Sequence, residues 1–257
     1  NNNTVTLGGG TLTGSQVWGT SYNGTVYANT DDKIKGNTLN VQAKNGVDVA
    51  KVRNIEKFKF HLQDDTTKNA PLLSLTEGFG TLSADGSDVR VKWENVAVDM
   101  SKVTTEKDLA KIQGKNTYIL MRSANHDLKF SDYAVRYGTH GGVYETALRT
   151  DTGTDTATDV LYDVNRFKEG KRTLNAGSTL DNNEFYAGIS EYGAGTEYNH
   201  LEIDAAPAGL DAAYAGKTEG EAGGSHHNEL VVKGNAGITA RSFIAAGYIH
   251  NVDNTAD

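Results

Sequence analysis

Three aspartates, Asp151, Asp155 and Asp159, recur at every fourth position of the run Thr150–Asp159, and closely spaced carboxylates are what a calcium ion requires. A calcium loop also wants oxygens at alternating positions, a glycine at the bend and a closing acid. This run lacks that order, and no metal site is assigned. Acid–base cleavage of a polysaccharide needs two carboxylates held about 5 to 9 Å apart. Asp64-Asp65, and Glu197 with Asp204, are the candidates, and neither pair has a spacing that dictates such a separation. Nucleophilic catalysis would need a serine with a histidine base and an orienting acid. Ser21 follows Gly19-Thr20 and His140 sits in Gly138-Thr139-His140-Gly141-Gly142, but no aspartate motif precedes either. His226-His227 is a bare pair without a third metal ligand. No catalytic residue and no cofactor is therefore assigned.

Tyrosine is the remaining handle, with 12 Tyr against 7 Phe. Tyr22, Tyr27, Tyr186, Tyr192, Tyr198 and Tyr214 lie in Gly- and Asn-rich surroundings, where a flat apolar ring with a polar tip suits a sugar or a protein surface. The same property suits packing at a corner of the fold. These six are the candidate binding residues.

The elements that would carry them read as strands. Val, Ile, Thr and Tyr recur in short alternating runs, 29 Gly and only 2 Pro punctuate them, and no long window favours a helix. Absence of cysteine excludes disulfides, zinc–thiolate sites and cysteine nucleophiles. A net charge of −8 with scattered Lys and Arg argues against nucleic acid. No apolar run approaches the roughly 18 to 20 residues of a membrane helix, and no signal segment opens the chain, so a mature soluble protein is expected.

A phrase Asn-x-[Val/Leu]-x-[Leu/Val/Ile] occurs at Asn3–Leu7, Asn37–Val41, Asn199–Ile203 and Asn228–Val232, at spacings of 34 within the first pair and 29 within the second. Three of the four continue to a glycine, an apolar or aromatic pair and a second glycine: Gly14 to Gly19, Gly209 to Gly216 and Gly237 to Gly247. A period near 30 signals stacked supersecondary units. Alternating apolar residues would point inward, glycine would supply positive φ at a corner, and aligned asparagines could stack their amides in a ladder. The fold expected is all-β, a β-helix or β-solenoid with a strand-rich inserted or capping block. Residues 1–45 and 181–257 would be repeats, 46–150 the strand-rich block and 151–180 a loop or linker. Strands are expected at 46–62, 71–75, 89–98 and 116–121, with one short helix opening at Thr105-Glu106-Lys107-Asp108.

Gly36–Val41, Val52–Leu62 and Pro71–Thr76, with the opening Asn3-Thr4-Val5-Thr6-Leu7-Gly8-Gly9-Gly10-Thr11, resemble a passage of the large autotransporter adhesins of Gram-negative bacteria, over roughly residues 1 to 130. The resemblance implies a right-handed β-helix passenger on the outside of the bacterial cell, exported through a membrane barrel not recognisable in this chain. It implies a non-catalytic role in adhesion, aggregation or biofilm, with a host surface protein, a glycan or another copy as partner. A polysaccharide-cleaving enzyme on the same scaffold, or a stalk that only spaces a distal head, are the alternatives.

Overall fold

Short β-branched and aromatic runs broken by Gly, Asn and Asp fold as the alternation dictates, into an all-β chain. The computed structural model describes residues 2–20, 23–28, 31–63, 65–79, 89–103, 114–219, 223–234, 236–238 and 242–250. The helix expected from Thr105 lies outside them. The first strands are β1 (Thr4–Leu7), β2 (Gly10–Trp18), β3 (Thr38–Val41), β4 (Val47–Arg53), β5 (Lys57–His61), β6 (Leu73–Leu75), β7 (Val91–Lys92), β8 (Val96–Asp99), β9 (Lys115–Ser123), β10 (Leu128–Ser131) and β11 (Arg136–His140). They are followed by β12 (Tyr144–Thr150), β13 (Thr156–Ala157), β14 (Asp159–Arg166), β15 (Lys171–Leu174), β16 (Glu184–Ser190), β17 (Thr196–Glu197), β18 (His200–Ile203), β19 (Ala212–Glu219), β20 (Ser225–His226), β21 (Glu229–Val232) and β22 (Phe243–His250).

Each expected strand is present, but 89–98 is divided. A single 3-10 turn, Trp93–Asn95, separates β7 from β8 and swings the Trp93 ring inward, where its Nε1 donates to Ala134 O at 2.6 Å. The stretch 151–180 is loop at its start only. Val160, Val164 and Leu174 are buried apolar residues, and β14 and β15 form around them.

The chain divides into two units. Unit 1 comprises Asn1–Asp108, Thr117–Arg136 and Leu148–Tyr162, and unit 2 comprises Leu109–Asn116, Tyr137–Ala147 and Asp163–Asp257. In unit 1 consecutive strands alternate between two parallel sets. β1, β3, β5 and β8 pair in that order, as do β2, β4, β6 and β9. The first set aligns Val5, Leu39, Phe58 and Val96 in one row, and the second aligns Val47, Leu73 and Met121. Most of these side chains are wholly buried, at about 1.5–3 kcal/mol of transfer free energy each. The same parallel pattern therefore runs from residue 4 through residue 99, across the boundary expected at 45.

At the end of β8, Asp99 accepts from Lys59 Nζ at 2.7 Å and from Ser101 N at 2.8 Å, with His61 Nδ1 3.3 Å away. Lys59 and then Ser101 hold the Asp99 carboxyl well below the usual carboxylate range. Because the folded value is depressed, this stabilisation is present above the unfolded pKa and is lost as pH falls through the folded one. His61, pushed down by burial, has the same sign. Asp99→Asn should lower stability by about 1–2 kcal/mol at neutral pH and make urea midpoints less sensitive to acid; an unchanged acid profile would exclude Asp99 as a source.

Unit 2 distributes its strands over three parallel sets, β15-β18-β21, β16-β19-β22 and β17-β20. Lys171 aligns with His200 and His200 with Glu229, while Thr196 aligns with Ser225, so the 29-residue period is the spacing between stacked strands. Leu174, Phe185, Ala187, Leu201, Ile203, Leu210, Ala213 and Ala215 make the core that the strands enclose. β16 and β19 also bury their other face, through Tyr186, Ile189, Ala212 and Tyr214.

The asparagine ladder is present in both units. Asn3 N and Nδ2 donate to Asn37 Oδ1 at 3.2 and 3.1 Å, and Asn199 N and Nδ2 donate to Asn228 Oδ1 at 3.0 and 2.9 Å. Asn199 Oδ1 in turn accepts from Gly170 N at 2.8 Å, 29 residues earlier. The earlier residue donates at every rung.

Candidate functional site

Immediately before each ladder position the backbone turns left-handed. Asn2, Gly36, Glu169, Tyr198 and His227 all have φ between 48° and 76°, preceding Asn3, Asn37, Gly170, Asn199 and Asn228. Glycine or asparagine adopts this conformation at little cost; tyrosine and histidine in it store strain of order 1 kcal/mol or more. That strain holds two rings in one outward row. Tyr198 and His227 stack with centroids 5.1 Å apart and planes 9° from parallel, and Tyr198 is 51% exposed. Lys168 Nζ lies 5.5 Å from the Tyr198 ring centroid and pairs with Glu197 at 3.0 Å.

Beside this row is an open cavity of about 410 Å³ lined by Lys171, Tyr198, Asn199, His200, His227 and Glu229. His200 Nδ1 lies 2.9 Å from Glu229 Oε2. The cavity thus sets a cation, a carboxylate and an imidazole around ring edges, a combination that holds a polar ligand by hydrogen bonds and ring contact.

Of the other tyrosines, Tyr22 lies outside the described residues. Tyr27 is half-buried, with Lys33 Nζ 4.8 Å from its ring centroid and its N–H donating to Asn54 Oδ1 at 2.9 Å. Tyr192 donates from its hydroxyl to Asp163 Oδ2 at 2.5 Å. Tyr186 and Tyr214 are not surface residues. Burial raises both phenols, Tyr214 to about 12, and the Tyr186 hydroxyl is spent on Asp181. Their role is packing, because the sheet that carries them is apolar on both faces.

The chemical candidates are dispersed. Asp151 Oδ1 accepts from Thr158 N and Asp159 N at 3.1 Å, Asp155 pairs with Arg90 at 2.9 Å, and Asp159 holds Arg122 by two bonds of 2.7 and 2.6 Å. Asp65 pairs with Lys44, Glu197 with Lys168 and Asp204 with Lys233. Ser21 and Asp64 lie outside the described residues. His140 is the last residue of β11, and His227 belongs to the ring stack. Among the described residues no group of three or more His, Cys, Asp or Glu is arranged to hold a metal.

One acidic cluster had no sequence expectation. Glu145, in β12, is 2% exposed and accepts from Asn165 Nδ2 at 3.2 Å, Ser190 Oγ at 2.9 Å, Tyr192 N at 3.3 Å and Glu191 N. Asn165 Nδ2 also reaches Glu191 Oε2 at 3.1 Å, and Glu191 pairs with Lys115 at 2.5 Å. Burial pushes the Glu145 carboxyl up despite these donors. Three carboxylates are thus linked, Glu145 and Glu191 through Asn165 Nδ2 and Asp163 through Tyr192, whose N–H goes to Glu145 and whose hydroxyl goes to Asp163. Two of them are inaccessible, and the oxygens of Glu145 are committed to anchoring the turn after β16. The only sequence signal is a glutamate inside Tyr144–Thr150, a strand buried on both faces, where an acid must find partners.

No family model, no curated protein and no solved structure matches the chain.

Proposed function

We propose that the chain is a right-handed parallel β-helix segment of an autotransporter-type adhesin, displayed on the bacterial surface, and that it binds or displays without catalysing a reaction. The parallel 29-residue register with its asparagine ladder carries this reading, since it is how coils of a β-helix stack, and parallel crossovers are right-handed in about 98% of cases. The Tyr198–His227 row with its adjoining cavity is the recognition surface, and the ligand is a host glycan or surface protein. A side chain held at positive φ where glycine would fit better supports a role beyond folding.

Tyr198→Gly tests it. Relief of positive φ should leave stability unchanged or raise it by up to about 1 kcal/mol in urea unfolding. Retention of the immobilised chain's ligands, screened on a glycan array and on extracellular-matrix proteins, should be lost. Equal retention by the variant would remove the site, and retention of nothing by either protein would favour the stalk. Release of reducing ends from a polysaccharide would favour the enzyme.

A further inference from the structure

The cavity beside Tyr198 and His227 has a definite order of charge. Lys171, His200 and Glu229 occupy one register row across β15, β18 and β21. Cation, imidazole and carboxylate therefore follow one another at successive strand spacings, and the outer two stand about 9–10 Å apart at the backbone. Glu229 is already held by His200 Nδ1 at 2.9 Å, and Lys168, which reaches the Tyr198 ring, is held by Glu197 at 3.0 Å. Lys171 is the one lysine or arginine in the lining, and among the described residues it makes no ion pair.

The rings offer edges here instead of faces. Lys168 pairs with Glu197 from one side and His226 from the other, so Lys168 and His227 take opposite faces of the Tyr198 ring. What Tyr198 has left is its ring edge, the positive part of the aromatic quadrupole, with a hydroxyl at the tip. Among the described residues neither that hydroxyl nor a ring nitrogen of His227 is committed to a hydrogen bond. A neutral sugar that lays its apolar side on an aromatic ring finds no open face on Tyr198. An anion finds a free ammonium, a positive edge and hydroxyl and imidazole donors. Glu229 Oε2 faces His200, which leaves Oε1 to accept from hydroxyl groups.

We infer that the cavity recognises a carboxylated sugar, with its carboxylate on Lys171 and the Tyr198 edge and its hydroxyls on Glu229 and His200. This names the ligand class of the recognition surface proposed above and rests on that reading. The negative group is an isolated one. Glu197, Glu202 and Glu229 stand on β17, β18 and β21 around a single free lysine, and the whole chain carries a net charge of −8. Closely spaced sulfates would set their further charges against these carboxylates. Hexuronic acids and nine-carbon keto-sugar acids share the required chemistry.

Retention by the immobilised 257-residue chain tests it, with lactose, sialyllactose, a glucuronic-acid-terminated disaccharide, the methyl esters of both acids and dextran sulfate as probes. At least one acid should be retained, and which one identifies the source of the carboxylate. Its ester should bind about tenfold or more weakly, because a charge-assisted hydrogen bond is lost. Lys171→Met should bring the acid down to the level of the ester and leave the ester unchanged, a pattern that a merely structural role of Lys171 would not give. Lys171→Arg should restore most of the difference. Added salt should weaken the acid and not the ester. Retention of neither acid, equal retention of acid and ester, tighter retention of dextran sulfate, or a Lys171→Met variant that affects acid and ester alike would each overturn the inference. Tyr198→Gly separates the two readings: if it abolishes an equal retention of acid and ester, the recognition surface stands and the carboxylate preference falls, whereas if it changes no retention, the surface itself falls.

Discussion

Asn199→Ala should cost about 2–4 kcal/mol of stability, among the largest losses expected of a single polar substitution in unit 2. The side chain is 1% exposed and its amide is fully used: Oδ1 accepts from Gly170 N, and Nδ2 donates to Phe167 O at 3.0 Å and to Asn228 Oδ1. Alanine leaves the buried Gly170 N–H without its acceptor, at about 1–3 kcal/mol, takes one of two donors from Phe167 O, which keeps Glu197 N at 3.2 Å, and opens a small cavity beside both. Gly188 makes the argument sharper. A Cβ there would stand 2.2 Å from Asn199 Oδ1, so Gly188→Ala should also destabilise, by about 1–3 kcal/mol. In the double variant the truncated residue 199 vacates the space that the new methyl enters. The combined loss in urea unfolding should fall short of the sum by about 1 kcal/mol or more. Strict additivity would mean that the amide does not press on the glycine.

Glu145 should behave as the second such anchor. Glu145→Ala removes the acceptor of the Ser190 hydroxyl and of the N–H groups of Glu191 and Tyr192, and about 3 kcal/mol should be lost. Its pH dependence has the opposite sign to that of Asp99. Burial raises the folded pKa above the ordinary glutamate value, so this contribution is complete below the unfolded pKa and declines as pH rises through the folded one. Glu145→Gln keeps the shape and abolishes the titration, at a smaller cost than alanine because one oxygen still accepts. Urea midpoints of the Gln variant should be flatter than those of the native chain above about pH 4.5. Identical slopes would place the titration elsewhere.

The ladder was legible because two conditions met: a repeated Asn and a period that register could use. The glycines were half legible. Gly14, Gly209 and Gly237 do supply positive φ, as corner chemistry predicts. Gly19, Gly188 and Gly216 do not; a Cβ at Gly19 would meet Asn54 O at 2.3 Å, and one at Gly216 would meet Asn228 Nδ2 at 2.4 Å. Their purpose is close approach, which depends on what a later strand brings alongside and leaves no local mark. Tyr186 and Tyr214 misled for a related reason. Their neighbours are small and polar, whereas the residues that bury them come from adjacent strands. Tyr198 was recoverable as an exposed ring, but its stacking on His227 required the register, since 29 residues separate the two. Glu145 had no period to announce it.

The direction of the ladder has a mechanical consequence. Inter-strand hydrogen bonds in unit 2 lie along the axis on which strands stack, so a pull along that axis does not load a whole row in shear. It opens the row at one end and peels it, one strand pair after another. Each release frees 29 residues, about 100 Å of extended chain, at a modest force set by a single rung and its local packing. Such an element yields in small, similar steps and lengthens greatly before it fails, more like a ratcheting tether than a rigid strut.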